Sequence, residues 1–159
     1  SKALYNRLRD PLIGGARSAL IKDVSTPAKT DFYVQLLYWR SNNDNPTYLF
    51  RLAEQYLIRS EARSKKETPD LVGALADLNA VRNRSSIASF ESTSREEILL
   101  AIEEERRVEF AFEPHRWFDL VRTGRAGTVL GVNDTQKWIF PIPYNDLAAD
   151  PALVQNPGY

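Results

Sequence analysis

The sequence predicts an all-α protein: tetratricopeptide-like helix pairs joined by long loops, with an extended, proline-rich C-terminal tail. Three observations carry this. Apolar residues recur at three and four positions over two long stretches after residue 47, the spacing of one helical face. A third stretch opens with Ser94 followed by Glu97, the S-x-x-E pattern of a helix start. Pro141, Pro143, Pro151 and Pro157 then forbid long regular structure at the C-terminus.

In order along the chain, residues 1–47 read mostly as loop, because Pro11, Gly14, Gly15, Pro27 and the run 41–46 are turn formers. Within them, DFYVQLLYWR alternates Phe32, Val34, Leu36 and Tyr38 with Tyr33, Gln35, Leu37 and Trp39, which predicts one extended segment. A helical domain is expected over 48–159. Its first helix carries Leu49, Leu52, Ala53, Tyr56 and Leu57 on one face and ends near Lys65. Thr68 as N-cap and Pro69 in the first turn start a second helix, with Leu71, Ala74, Leu75, Leu78 and Val81 as its stripe, to about Arg84. The short connection makes the two antiparallel neighbours, and small Ala53, Ala62, Ala74 and Ala76 let them approach, as in a tetratricopeptide-type unit. A helix after Pro114 turns Trp117, Leu120 and Val121 inward and stops near Gly124. One short helical turn over 145–149 interrupts the tail, and Trp138 is expected to plug the core.

At 159 residues the chain suits one compact domain with a sizeable core. Its 21 Lys and Arg balance 21 Asp and Glu, so no basic excess draws nucleic acid or an anionic membrane. With no cysteine there is no disulfide, thiolate metal site or cysteine nucleophile. No apolar run has the length of a membrane-spanning helix.

The stretch EEERRVEFAFEPHRWFDLVR breaks the helical pattern. At about 100° per residue, Ile98, Ala101, Ile102, Val108 and Phe112 share an arc that has Glu105 and Glu109 at its centre. Carboxylates there require arginine partners on burial. Arg106, with Glu109 at i+3 from it, and Arg51, Arg59, Arg116 and Arg122 on other helices, are the candidates. Glu103, Glu104 and Arg107 face outward as solvated charges. A carboxylate-bridged metal centre would need Glu-x-x-His on two helices, and the chain has one histidine, His115. Paired glycosidase carboxylates need an open cleft, which the centre of a packing face does not offer. No cofactor, metal or catalytic residue is therefore expected, and the carboxylates read as a structural lock.

Three segments, YLFRLAEQYLIRSEA (48–62), ERRVEFAFEPHRWFDLVRTG (105–124) and PIPYNDLAADPALVQNPGY (141–159), together resemble the signature of the SusD/RagB family in order and spacing. Pro114 stands where glycine is usual, and Asp150 where asparagine usually precedes the proline. The resemblance implies a non-catalytic, cell-surface, outer-membrane lipoprotein that captures a glycan or other nutrient and passes it to a SusC-like TonB-dependent transporter. It implies tetratricopeptide-like scaffold helices, and a longer protein of which this chain is the C-terminal part. Contact with the membrane would then be made only by a lipid anchor that this chain lacks. It makes Glu105, Arg106, Glu109, Glu113, Arg116, Trp117 and Asp119 a fold signature. The family's ligand-contacting residues lie largely upstream, so a candidate ligand site comes from chemistry alone. Tyr33, Tyr38, Trp39, Arg40, Asn42, Asn43 and Asp44 combine aromatic faces for sugar C–H groups with side chains that bond hydroxyls. The alternative from another class is a helical-repeat module that binds protein and no sugar.

Overall fold

The computed structural model describes residues 2–31, 33–37 and 48–159, and it is mostly helical. The described chain forms two compact units, Ser1–Glu113 and Pro114–Tyr159. The division falls at Pro114, which lacks the N–H a continuing helix needs.

The first unit is built on a helical hairpin. α2 (Leu52–Lys65) and α3 (Leu71–Arg84) run antiparallel, with Ser60 donating to the Ala74 carbonyl at 2.7 Å and Arg63 to the Gly73 carbonyl at 2.9 Å. α4 (Arg95–Glu109) packs across both. Ala53, Leu57, Ala74, Leu78, Val81, Ile98, Ile102 and Phe110 form the buried centre, and burying each large aliphatic side chain contributes roughly 1.5–3 kcal/mol. Close approach of the hairpin depends on Ala53 and Ala74 as expected. The other two small residues at the contact are buried Ser60 and Ser64, whereas Ala62 and Ala76 are exposed. Ser64 returns its hydroxyl to the Ser60 carbonyl at 3.0 Å, which removes the cost of burying it.

Two helix starts differ from expectation. α2 begins at Leu52, and Leu49 and Leu52 are exposed, because Arg51 is extended and its side chain is held elsewhere. α3 is capped by Asp70, not Thr68: the Gly73 N–H donates to Asp70 Oδ1 at 2.9 Å. Asp70→Ala is therefore expected to lower the unfolding free energy by about 1 kcal/mol, and Thr68→Ala to change it by less than about 0.5 kcal/mol, in parallel urea titrations. At α4 the Ser94 cap is as the sequence predicts, with Glu97 N–H donating to Ser94 Oγ at 3.3 Å. Glu97 does not reach back, however. Its carboxylate accepts from the Ser92 hydroxyl at 2.6 Å.

Residues 1–47, read from the sequence as mostly loop, carry more structure than that. α1 (Lys2–Arg9) buries Leu8 against Val108, Ala111 and Ile21. A 3-10 helix, Gly15–Leu20, leads into β1 (Ile21–Asp23), which pairs antiparallel with β2 (Tyr33–Gln35) in the register Ile21↔Gln35 and Asp23↔Tyr33. The Gly14–Gly15 pair is a close-approach device as well as a turn. A Cβ on Gly14 would lie 2.1 Å from the Leu8 carbonyl oxygen, and one on Gly15, at φ +55°, 2.1 Å from that of Ser85. Ala16 N–H then donates to Ser85 at 2.8 Å, fastening this segment to the end of α3.

The second unit contains α5 (Arg116–Arg122), α6 (Ala126–Leu130), a 3-10 turn at Thr135–Trp138 and α7 (Tyr144–Ala149). α5 buries Leu120 and only partly covers Trp117 and Val121, and Gly124 follows at φ +71°. Trp138 is partly buried and acts as a donor, with Nε1 on the Val132 carbonyl at 2.8 Å, in place of the expected core plug. Prolines deprive the tail of backbone donors, and side-chain amides stand in for a ladder. Gln155 accepts from Ile142 N–H at 2.8 Å and donates to the Ile142 carbonyl at 3.0 Å, while Asn156 donates to the Phe140 carbonyl at 2.8 Å.

Candidate functional site

The misplaced carboxylates of α4 are the centre of a buried charge network. Glu105 and Glu109 are 3% and 4% exposed, one helical turn apart on the packing face. Arg17, itself 5% exposed, lies across both, donating through Nη2 to Glu105 Oε1 and through Nε to Glu109 Oε2 at 2.8 Å. Arg82 and Arg84, from the end of α3, reach Glu105 Oε2 at 3.2 Å and Glu109 Oε2 at 2.6 Å. Arg51, just before α2, donates to Glu109 Oε1 at 2.6 Å and forks onto both oxygens of Glu113 at 2.6 and 3.2 Å. Four arginines from three segments distant in sequence thus converge on one helix.

Electrostatics follows from this geometry. Burial pushes the Glu109 carboxyl upward, but the hydrogen bond from Arg84, the charge of Arg17 and the hydrogen bond from Arg51 outweigh it and hold the group below its ordinary range. Burial likewise works against the Arg51 cation, and Glu113 and Glu109 more than restore it. Each oxygen of Glu105, Glu109 and Glu113 is occupied by a guanidinium. A general acid or base needs a carboxylate oxygen turned to a substrate, so this arrangement cross-links segments and does not move protons.

Several expectations change here. Arg106 does not meet Glu109; its guanidinium lies 3.9 Å from Glu54 and 5.0 Å from the Phe110 ring, which Arg51 also approaches at 4.9 Å. Arg59 is committed to buried Asp77, which it grips at 2.6 and 2.9 Å together with Arg63 at 2.9 Å, and Arg122 pairs with Asp119 at 2.9 Å. Glu103 is buried, where a solvated charge was expected. Phe112, expected on the inward arc, lies beyond the end of α4 at φ +72° and is 37% exposed. Among the signature residues, Glu105, Arg106, Glu109 and Glu113 fall in the first unit and Arg116, Trp117 and Asp119 in the second. The partners missed from sequence are Arg17, Arg82 and Arg84. Arg17 follows a Gly-Gly pair that reads as a turn, and nothing in its spacing points to α4.

Of the proposed ligand cluster, Tyr38, Trp39, Arg40, Asn42, Asn43 and Asp44 lie outside the described residues. Tyr33 is placed, and it lines a pocket of about 290 Å³ with Lys2, Leu4, Tyr5, Ile21, Asp31, Gln35 and Phe112. Its ring stacks on Tyr5, with centroids 3.7 Å apart and planes at 14°. Its hydroxyl donates to Asp31 Oδ1 at 2.9 Å, and that bond, with desolvation and the Asp31 charge, raises its pKa to about 12. Asp31 in turn is lowered by hydrogen bonds from Lys2 and Tyr33.

Comparison with known proteins identifies the family. The SusD family model matches residues 29–136. The chain is similar to SusD-like protein P38 of Formosa agariphila, 32% identical over 131 residues that cover 75% of this chain and 26% of that protein. It is also similar to starch-binding protein SusD of Bacteroides thetaiotaomicron, 31% identical over 128 residues, 73% of this chain and 22% of the relative. A solved SusD-like protein from Bacteroides fragilis superposes with a TM-score of 0.60 at 27% identity, over 74% of this chain and 29% of its own. The chain spans about a quarter of the length of these curated relatives. With its charge-locked helices inside the matched region, the chain belongs to the SusD family.

Proposed function

We propose that this chain is scaffold and part of the binding surface of a non-catalytic glycan- or nutrient-capturing protein. In this reading the whole protein is lipid-anchored on the outer face of the outer membrane and passes its ligand to a SusC-like TonB-dependent transporter. The observation that carries the reading is the similarity to starch-binding protein SusD across the arginine-locked helices. Saturation of Glu105, Glu109 and Glu113 by arginine supports binding over turnover. No helix among the described residues is long and apolar enough to cross a membrane.

A second reading, a helical module for a protein partner, is favoured by one feature: Leu49, Phe50, Leu52 and Val72 are 72–83% exposed in the hairpin unit. Affinity gel electrophoresis of the intact protein separates the two. Retardation in gels containing starch or another polysaccharide, with no change in the polysaccharide's chain length, is the expected result. Absence of retardation in every gel, with retention on a transporter or other protein column, would favour the second reading. Polysaccharide cleavage abolished by Glu105→Gln in a protein that stays folded would overturn both.

A further inference from the structure

The charge lock gives no role to the pocket between α1, the β1–β2 pair and Phe112. Tyr5 and Tyr33 stack there, and each hydroxyl is tied to a carboxylate: Tyr33 to Asp31, Tyr5 to Asp23. Lys2 Nζ lies 2.9 Å from Asp31, and the Gln35 amide completes the polar rim. Two lining residues, Asp31 at φ +54° and Phe112 at φ +72°, adopt the left-handed conformation. Aspartate tolerates this region and phenylalanine does not, so the fold spends stability to set an aromatic side chain, 37% exposed, at the pocket edge. Such strain is characteristic of ligand clamps.

We infer that this pocket binds a single neutral pyranose unit. This deepens the nutrient-binding reading above and rests on it. A volume of about 290 Å³ sits at the lower end of the roughly 300–1,000 Å³ of small-molecule sites, which suits one ring of a chain that continues into solvent. Tyrosine and Phe112 surfaces offer flat apolar contact to the ring's C–H groups. Asp31, 52% exposed at its side chain, keeps acceptor capacity beyond the bonds from Tyr33 and Lys2 and can take a ring hydroxyl, and Lys2, with three donors, can give one to a second hydroxyl or to the ring oxygen. Charge offers an acidic sugar no attraction: Lys2 is offset by Asp31, and Asp23, whose charge also reaches Tyr33, is offset by Arg9, so a ring carboxylate would meet Asp31 with no unopposed cation among the lining residues.

The test is saturation-transfer NMR titration of the 159-residue chain with the methyl glycosides of glucose, galactose, mannose and xylose, and with methyl glucuronide. Asp31→Asn keeps a residue tolerant of the left-handed backbone, and Tyr33→Leu keeps an apolar strand residue; thermal melts establish that both are folded. The expected result is binding of at least one neutral glycoside, weakened about tenfold in each variant, with the glucuronide weaker than its neutral counterpart. Equal binding by wild type and both folded variants would overturn the pocket assignment and leave the nutrient-binding reading standing. So would a glucuronide that binds as tightly as the neutral sugar. If no glycoside binds the chain, the pocket assignment falls, while polysaccharide retardation of the intact protein decides the broader reading separately.

Discussion

Replacing Glu109 with alanine is expected to lower the unfolding free energy by about 3–5 kcal/mol, the range for breaking a buried ion pair from one side. Glu109 accepts from Arg17, Arg51 and Arg84 at 2.6–2.8 Å, so its removal leaves Arg17, 5% exposed, with only Glu105 to offset its charge. In a chain of this size that corresponds to a fall in Tm on the order of 10 °C. The same group sets an acid limb. Its folded pKa lies below the ordinary 4.5, so its stabilising contribution is fully present above pH 4.5 and is lost as pH falls through the folded value. Glu109→Gln should therefore be destabilised at neutral pH yet show a flatter loss of stability below pH 4.5 than wild type. A Glu109→Ala melting curve that overlays wild type at pH 7 would refute the lock.

The second large effect is expected at Arg17. Arg17→Ala removes the guanidinium that bridges Glu105 and Glu109, leaving Glu105 with Arg82 at 3.2 Å. The expected cost is about 3 kcal/mol. Arg17→Lys should recover less than half of it, because an ammonium cannot span two carboxylates as the planar fork does. A double-mutant cycle with Glu105→Ala should be strongly non-additive. Amide exchange in the 3-10 helix should accelerate in Arg17→Ala before exchange in α2 and α3 does. Additive losses, or a cost below about 0.5 kcal/mol, would mean that this segment is held by Leu8 and Ile21 packing alone.

The helices of the hairpin and α4 were legible because their signals are local: Leu57, Leu78, Ile98 and Ile102 repeat with the helical period and are buried as read. Start positions were less legible. Thr68 and Asp70 are both competent caps, and which one acts depends on where Arg63 and the Gly73 N–H end up. The lock was half legible. Two carboxylates on an apolar arc announced that arginines must come, and Arg51 was among the candidates. Charge attraction has no sequence period, so Arg17, Arg82 and Arg84 carried no mark that set them apart from Arg59, Arg116 or Arg122.

The N-terminal region shows the same boundary from the other side. Its glycines and prolines read as loop, and the loop reading missed α1 and β1 because Leu8 and Ile21 find their partners only across the fold, whereas β2 falls inside the extended segment that the alternation around Tyr33 predicts.

By itself the sequence determined the helical class, the three scaffold helices, the need for buried arginine partners and the family resemblance, since each rests on residue order and spacing along the chain. The tertiary structure alone decided which arginines answer Glu105 and Glu109, and that Tyr5 and Tyr33 face each other beside Asp31. Those choices depend on long-range approach, made possible where Gly14 and Gly15 let one backbone pass close to another, and no local pattern encodes such a meeting.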